Sequence, residues 1–284
     1  VSATGSVGMG QAIKKTLAAK KNNAVPPILE LGGNNGVIIS SRLSKEHLAW
    51  SLAAVMTSFL GTTGQRCTNT RRLIVHADMY DEAVAIVKQN IEQFMDAHVA
   101  HATIDSANPY GYAALIDGDA FSRFEQAKAQ AGKEGGKILF GRRLFAARLP
   151  GAFYVEPALA LMPEQTDVMH RETFAPLLFV APYKGDVSQA IAMVNAPDNA
   201  GLVAGIYTQS QQEADLFAAR AQAGHALINS PKGTGTPAYG MGFGGNKHSG
   251  EGEILNGADP LAAFTRRNRF TRIAQNKDVV MDKD

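Results

Sequence analysis

Cys67 is the chain's sole cysteine and lies in GTTGQRCTNTRR, residues 61 to 72. Free cysteines are commonly buried, small apolar residues. Here the glycines and threonines place Cys67 in a loop at a helix end, where a cleft could reach it. Arg66 and nearby backbone amides could stabilise a thiolate, the species that attacks an electrophilic carbon. Context alone leaves structural thiol and nucleophile both open. Glu30 ends the apolar run PPILE and precedes Gly32 and Gly33. A carboxylate at a strand end facing a cleft can have a raised pKa and act as a base. Glu172, in HRETFAPLLFV, also precedes an apolar strand. For each acid an ordinary loop or capping role is the alternative. GFGGNKHSG, residues 242 to 250, is glycine-rich and carries Lys247 and His248, but lacks the serial positions of a phosphate-binding Walker motif. The histidines are scattered, HRE is not HExxH, and no metal site is expected.

The elements that must hold these residues alternate in type. Helices are expected at 7–19, 43–60, 79–94, 121–131, 187–194 and 211–221. Strands are expected at 26–30, 37–40, 73–76, 137–141, 177–183, 202–207 and 225–229, with an extended stretch at 153–161 and a turn at 108–117. In the helix at 43–60, apolar residues recur at Leu48, Leu52, Val55, Met56 and Phe59. Short apolar strands alternating with helices imply an α/β fold with a mostly parallel sheet flanked by helices. In such sheets ligands collect where loops leave the strand ends. Residues 230 to 252 break the alternation, and FTRIA, residues 270 to 274, reads as a late strand.

Bulk properties narrow the functional classes. The 284 residues suffice for one large domain or two modest ones, and 45% of them are hydrophobic. A net charge of +2 gives no basic surface that argues for nucleic acid. No apolar run approaches the length a membrane-spanning helix needs. One cysteine excludes an intrachain disulfide framework, which fits a reducing, cytoplasmic setting. The start, VSATGSVGMG, has neither an initiator methionine nor a signal-peptide pattern, so a fragment of something longer is expected.

Five segments in order carry a resemblance: ATGS at 3–6, LELGGNN at 29–35, GQRC at 64–67, ETFAP at 172–176 and FGGNKHSG at 243–250. Together they resemble the aldehyde dehydrogenase superfamily. GTTGQRCTNTRRLIVH, KEGGKILFG, YVEPALAL and ETFAPLLFV look closest to its antiquitin-like, α-aminoadipic semialdehyde branch. The resemblance implies an oxidoreductase that turns a semialdehyde into a carboxylate with NAD, NADP not being excluded. It makes Cys67 the nucleophile and Glu30 the base for deacylation. It places Gly5, Ser6, Glu172 and Phe174 at the cofactor and Arg66 at an acidic substrate tail. It also implies a homo-oligomer whose late strand pairs with a neighbouring subunit.

The implied organisation is the end of a Rossmann-type cofactor domain at 1–36, a catalytic domain at 37–236, and a late active-site loop and oligomerisation tail at 237–284. Asn34 and Ala175 depart from the commoner lysine and glycine, in that branch's style. The resemblance covers only the later half or so of a complete family member. The chain alone is therefore expected to bind cofactor poorly and to be inactive. Another acidic semialdehyde dehydrogenase, or a noncatalytic truncated homologue serving as a binding module, are the alternatives. A thiol hydrolase is more remote.

Overall fold

The computed structural model describes residues 1–20, 27–99, 113–197, 199–235 and 242–251. The chain opens with β1 (Ser2–Thr4), α1 (Val7–Ala18) and β2 (Ile28–Glu30). Next come β3 (Asn35–Ile39), α2 (Lys45–Leu60), β4 (Thr70–His76) and α3 (Ala77–Phe94). Then follow α4 (Gly118–Lys133), β5 (Lys137–Phe140), the short pair β6 (Arg143–Leu144) and β7 (Tyr154–Val155), and β8 (Ala158–Leu161). The later elements are β9 (Leu177–Tyr183), α5 (Val187–Asn195), β10 (Val203–Tyr207), α6 (Gln211–Arg220), β11 (His225–Ile228) and β12 (Gly250–Glu251).

Local chemistry explains where the helices start. Ser6, Ser44, Asp117, Asp186 and Ser210 stand at N-caps, and each side chain accepts a hydrogen bond from a first-turn amide. Such caps satisfy donors that the helix itself leaves unpaired.

The main sheet runs β11-β10-β3-β4-β9-β8-β5. Every neighbouring pair is parallel except β5 with β8. Successive side chains on a strand point to opposite faces, so each central strand feeds two cores. Val37, Ile39, Leu73, Val75, Leu178 and Val180 pack with Leu48, Leu52, Val55 and Phe59 of α2 and Val87 and Ile91 of α3. Ile38, Ile74, Phe179 and Ile206 face the other way, toward Phe124, Ile191 and Phe217 of α4, α5 and α6. The α/β, mostly parallel architecture expected from the sequence is the one observed.

A second, small sheet has the order β1-β2-β12. It joins the start of the chain to the glycine-rich loop, with Gly250 opposite Glu30.

β4 begins at Thr70, three residues before the expected start at Leu73, and so includes Arg71 and Arg72. The stretch at 153–161 is two short strands rather than one. Half of the expected turn, residues 108–112, and all of the expected strand at 270–274 lie outside the described residues. None of the described helices is long and apolar enough to cross a membrane.

Candidate active site

β3, β4 and β9 are adjacent and parallel, so the three segments entering them meet at one end of the sheet. Those segments carry Glu30 with the glycine pair, Cys67, and Glu172 with Phe174. The site therefore forms where loops enter the strands. The candidate residues thus gather at the end opposite to the one where loops leave the strands. The carboxyl ends of β10 and β11 instead border a cavity of about 800 Å3, whose lining includes Leu43, His47, Trp50, Asn229 and Ile228. The expected active-site residues are absent from that lining.

The paired glycines are explained by close approach. A Cβ on Gly33 would lie 2.3 Å from the carbonyl oxygen of Cys67, and one on Gly32 would lie 2.2 Å from Glu172 Oε2. Gly33 has no room for a side chain because its neighbour is backbone, and at Gly32 the Glu172 carboxylate would have to move, so the glutamate-bearing segment lies directly against the nucleophile loop and the second acid. Gly64 has φ +68°, and a Cβ there would meet the backbone of Ala175 at 2.4 Å. The segments 29–35, 64–67 and 172–176 are thus packed backbone to backbone.

The loop after α2 is strained. Thr62 and Thr63 both have φ 54°, unusual for β-branched residues. Such conformations cost about 1–3 kcal/mol each. Thr63 Oγ1 donates to Ala113 O and accepts from Ala113 N, at 2.9 and 2.7 Å. Gln65 Nε2 donates to Ala114 O, and Gln65 Oε1 accepts from Ile116 N. Four bonds at about 1 kcal/mol each are of the size needed to offset the strain.

Asparagines fix the rest of the loop. Asn35 Nδ2 donates to the carbonyls of Cys67 and Asn69, both at 2.8 Å. Asn69 Oδ1 accepts from Arg66 N at 2.7 Å, while its Nδ2 donates to Gly61 O and to the Ser58 carbonyl near the end of α2.

Glu30 is buried, and its Oε2 has no hydrogen-bond partner. Burial pushes its carboxyl up to about 7. Burial also raises the Cys67 thiol, as do the charges of Glu172 and Glu30, while Arg71 pulls it down. The cation acting on Cys67 is therefore Arg71 and not Arg66, the one singled out from the sequence. Arg66 flanks Cys67 in the loop and keeps a buried Nε without a partner. Glu172 Oε1 accepts from Gly33 N and Arg71 Nη2, both at 3.2 Å. Burial raises the Glu172 carboxyl, against the lowering effects of Arg71 and Gly33.

Phe174 has φ 51° and is 39% exposed, with the Arg71 guanidinium 5.3 Å from its ring centre. Gly5 N donates to Glu30 O at 3.0 Å, and Ser6 caps α1 one residue later. A cleft of about 440 Å3 opens beside Glu172, lined in part by Arg123, Lys133 and Arg171. Among the described residues, no group of three or more His, Cys, Asp or Glu is placed to hold a metal.

Arg71 is the site-lining cation that the sequence reading missed. The available signal was TRRLIVH: two arginines leading an apolar strand must find acceptors if the strand is buried.

The glycine packing yields a direct expectation. Gly33→Ala pushes a methyl into the Cys67 carbonyl, a backbone atom that cannot swing aside. The variant should lose about 1–3 kcal/mol of stability by overpacking, together with most of the reactivity of Cys67. Thermal melts and iodoacetamide labelling check both. An alanine variant with wild-type melting and labelling would refute the close-approach account.

Fold and site together define an α/β protein whose single thiol lies among two carboxylates and a buried arginine. The chain belongs to the aldehyde dehydrogenase family, whose model matches residues 1–269. It is 30% identical over 276 residues to the alpha-aminoadipic semialdehyde dehydrogenase of Rattus norvegicus, covering 95% of this chain and 47% of the relative. The protein of the same name from Bos taurus is 30% identical over 284 residues, covering 98% of this chain and 48% of the relative. The solved lactaldehyde dehydrogenase of Escherichia coli superposes with a TM-score of 0.78 at 28% identity, covering 92% of this chain and 51% of that one. The chain thus spans about half the length of the relatives it matches.

Proposed function

We propose that the whole protein oxidises an aldehyde to a carboxylate with a nicotinamide cofactor, Cys67 being the nucleophile and Glu30 the base. The observation that carries this reading is the buried Glu30 carboxyl, with an unpartnered Oε2 and a pKa near 7, within electrostatic reach of the Cys67 thiol. A base titrating near neutrality suits proton removal from water.

The residues present fit the cofactor. Phe174 offers an exposed ring face, Glu172 offers a carboxylate to ribose hydroxyls beside an open cleft, and Gly5 and Ser6 lie at the start of α1. Bound there, the nicotinamide supplies a hydride acceptor. The chain's own residues do the rest. Cys67, as the thiolate, bonds through Sγ to the aldehyde carbon, and the carbonyl electrons move onto oxygen. Loss of hydride from that carbon leaves a thioester on Cys67. Glu30 takes a proton from water as the water oxygen attacks the thioester carbon, and Cys67 departs as the thiolate.

The substrate we favour is a semialdehyde with an acidic tail, α-aminoadipic semialdehyde first. The support is the likeness to relatives of that name and the position of Arg66 beside the nucleophile. A homo-oligomer of the whole protein belongs to the same reading.

The test is formation of reduced nicotinamide by the whole protein, with NAD and NADP, across a panel of acidic and neutral aldehydes. Aminoadipic semialdehyde should give the highest kcat/KM. Preference for another acidic semialdehyde would overturn the substrate and keep the chemistry. No aldehyde-dependent reduction with any member would favour a noncatalytic binding module.

A further inference from the structure

Arg71 is 2% exposed in its side chain, yet all the acceptors around it belong to the site. Its Nε donates to Gly33 O at 3.2 Å, its Nη1 to Gly64 O at 3.1 Å, and its Nη2 to Arg66 O at 2.9 Å and Glu172 Oε1 at 3.2 Å. One rigid fork therefore ties together the glycine pair, the loop on either side of Gln65, and the second carboxylate. Lysine could not do this, because its ammonium is a single point of donation on a flexible stem. The face of Phe174 covers the guanidinium.

We propose that Arg71 is a positioning residue for the reaction: it locks the nucleophile loop against Gly33 and Glu172 and presents the positive charge against which Cys67 ionises. The inference rests on the reading of Cys67 as nucleophile.

The charged groups acting on Cys67 are Arg71, Glu172 and Glu30. Glu172 is paired with Arg71, so in the resting protein it offsets much of the cation's effect on the thiol. Release of Glu172 from that pair, as when ribose hydroxyls engage the carboxylate, leaves Arg71 freer to favour the thiolate. The burial that raises the Cys67 thiol makes such a local cation matter more than it would in water.

The experiment is the pH profile of Cys67 alkylation by iodoacetamide, an uncharged probe that reports thiolate and needs no turnover. Glu172→Gln keeps the size and an oxygen acceptor for Gly33 N, and removes the negative charge. Its alkylation midpoint should fall by about one pH unit, which is about tenfold faster labelling well below the midpoint. Adding Arg71→Met in that background should return the midpoint to the wild-type value or above it. An unmoved or raised midpoint in Glu172→Gln would overturn the proposal, as would a folded double variant that matches Glu172→Gln. If the methionine double variant does not fold, Arg71→Gln in the same background, neutral but still a donor to the loop carbonyls, should likewise return the midpoint to the wild-type value or above it, and a midpoint left at the Glu172→Gln value overturns the proposal. Because the profile is read without aldehyde or cofactor, its failure is separable from failure of the dehydrogenase reading.

Discussion

Cys67→Ala should lower aldehyde-dependent formation of reduced nicotinamide in the whole protein by about a thousandfold or more, and should leave no first-turnover burst. Losing a covalent nucleophile removes the whole acyl route, and the neighbouring groups cannot act without it. The substitution is a clean probe because what builds the loop is backbone. Asn35 bonds to the Cys67 carbonyl, and Gly33 packs against that same oxygen. Both contacts survive in alanine. The side chain is half-buried, so the melting temperature should change little. Stopped-flow traces and thermal melts check the two halves. A variant that melts normally and keeps the burst would remove Cys67 from the mechanism. Collapse of the fold along with activity would show that the cysteine is structural.

Much of the framework was legible because local and global signals agree. The apolar period from Leu48 to Phe59 marks α2 from sequence alone, although the helix starts at Lys45 behind its Ser44 cap rather than at residue 43. The continuous apolar run Leu177–Tyr183 marks a strand buried on both faces. The apolar pattern of β4 starts only at Leu73, whereas Arg71 and Arg72 enter the strand with their donors satisfied by carbonyls and side chains. α1 carries apolar residues such as Val7, Met9, Ile13 and Leu17, yet only Gly10 of the helix is fully buried. Pattern shows which face is apolar and does not show what covers it.

The site was legible as residue types more than as geometry. GQRC, LELGG and ETFAP could be named, but their meeting depends on β3, β4 and β9 lying side by side. Glu172 reaches Gly33 across 139 positions, and no local propensity records such a contact. The same holds for the choice between two neighbouring arginines. Arg66 adjoins Cys67 in sequence, but Arg71 is the cation that favours its thiolate.

Glu30→Gln should separate the two halves of the proposed reaction. Acyl transfer to Cys67 and the accompanying hydride loss do not need Glu30, so a burst of about one equivalent should persist by the stoichiometry of one nucleophile. Steady turnover should fall by about 10²–10⁴, the usual contribution of a positioned base. In the wild type, deacylation should rise with pH through about 7, because only the deprotonated carboxylate accepts the proton from water. The variant should lose that inflection.

Stability should move oppositely. The folded carboxyl titrates near 7 against an ordinary value of 4.5, so the folded state holds the proton more tightly. Its stabilising contribution is full below about 4.5 and is lost as pH rises through about 7. The full shift corresponds to about 3 kcal/mol at most. Glu30→Gln should therefore melt like the wild type near pH 5 and at a higher temperature near pH 8. Calorimetry at both pH values, beside the burst, checks the pair of effects. An unchanged steady rate would dismiss Glu30 as the base. A melting difference that is the same at both pH values would mean that the buried carboxyl carries no such penalty.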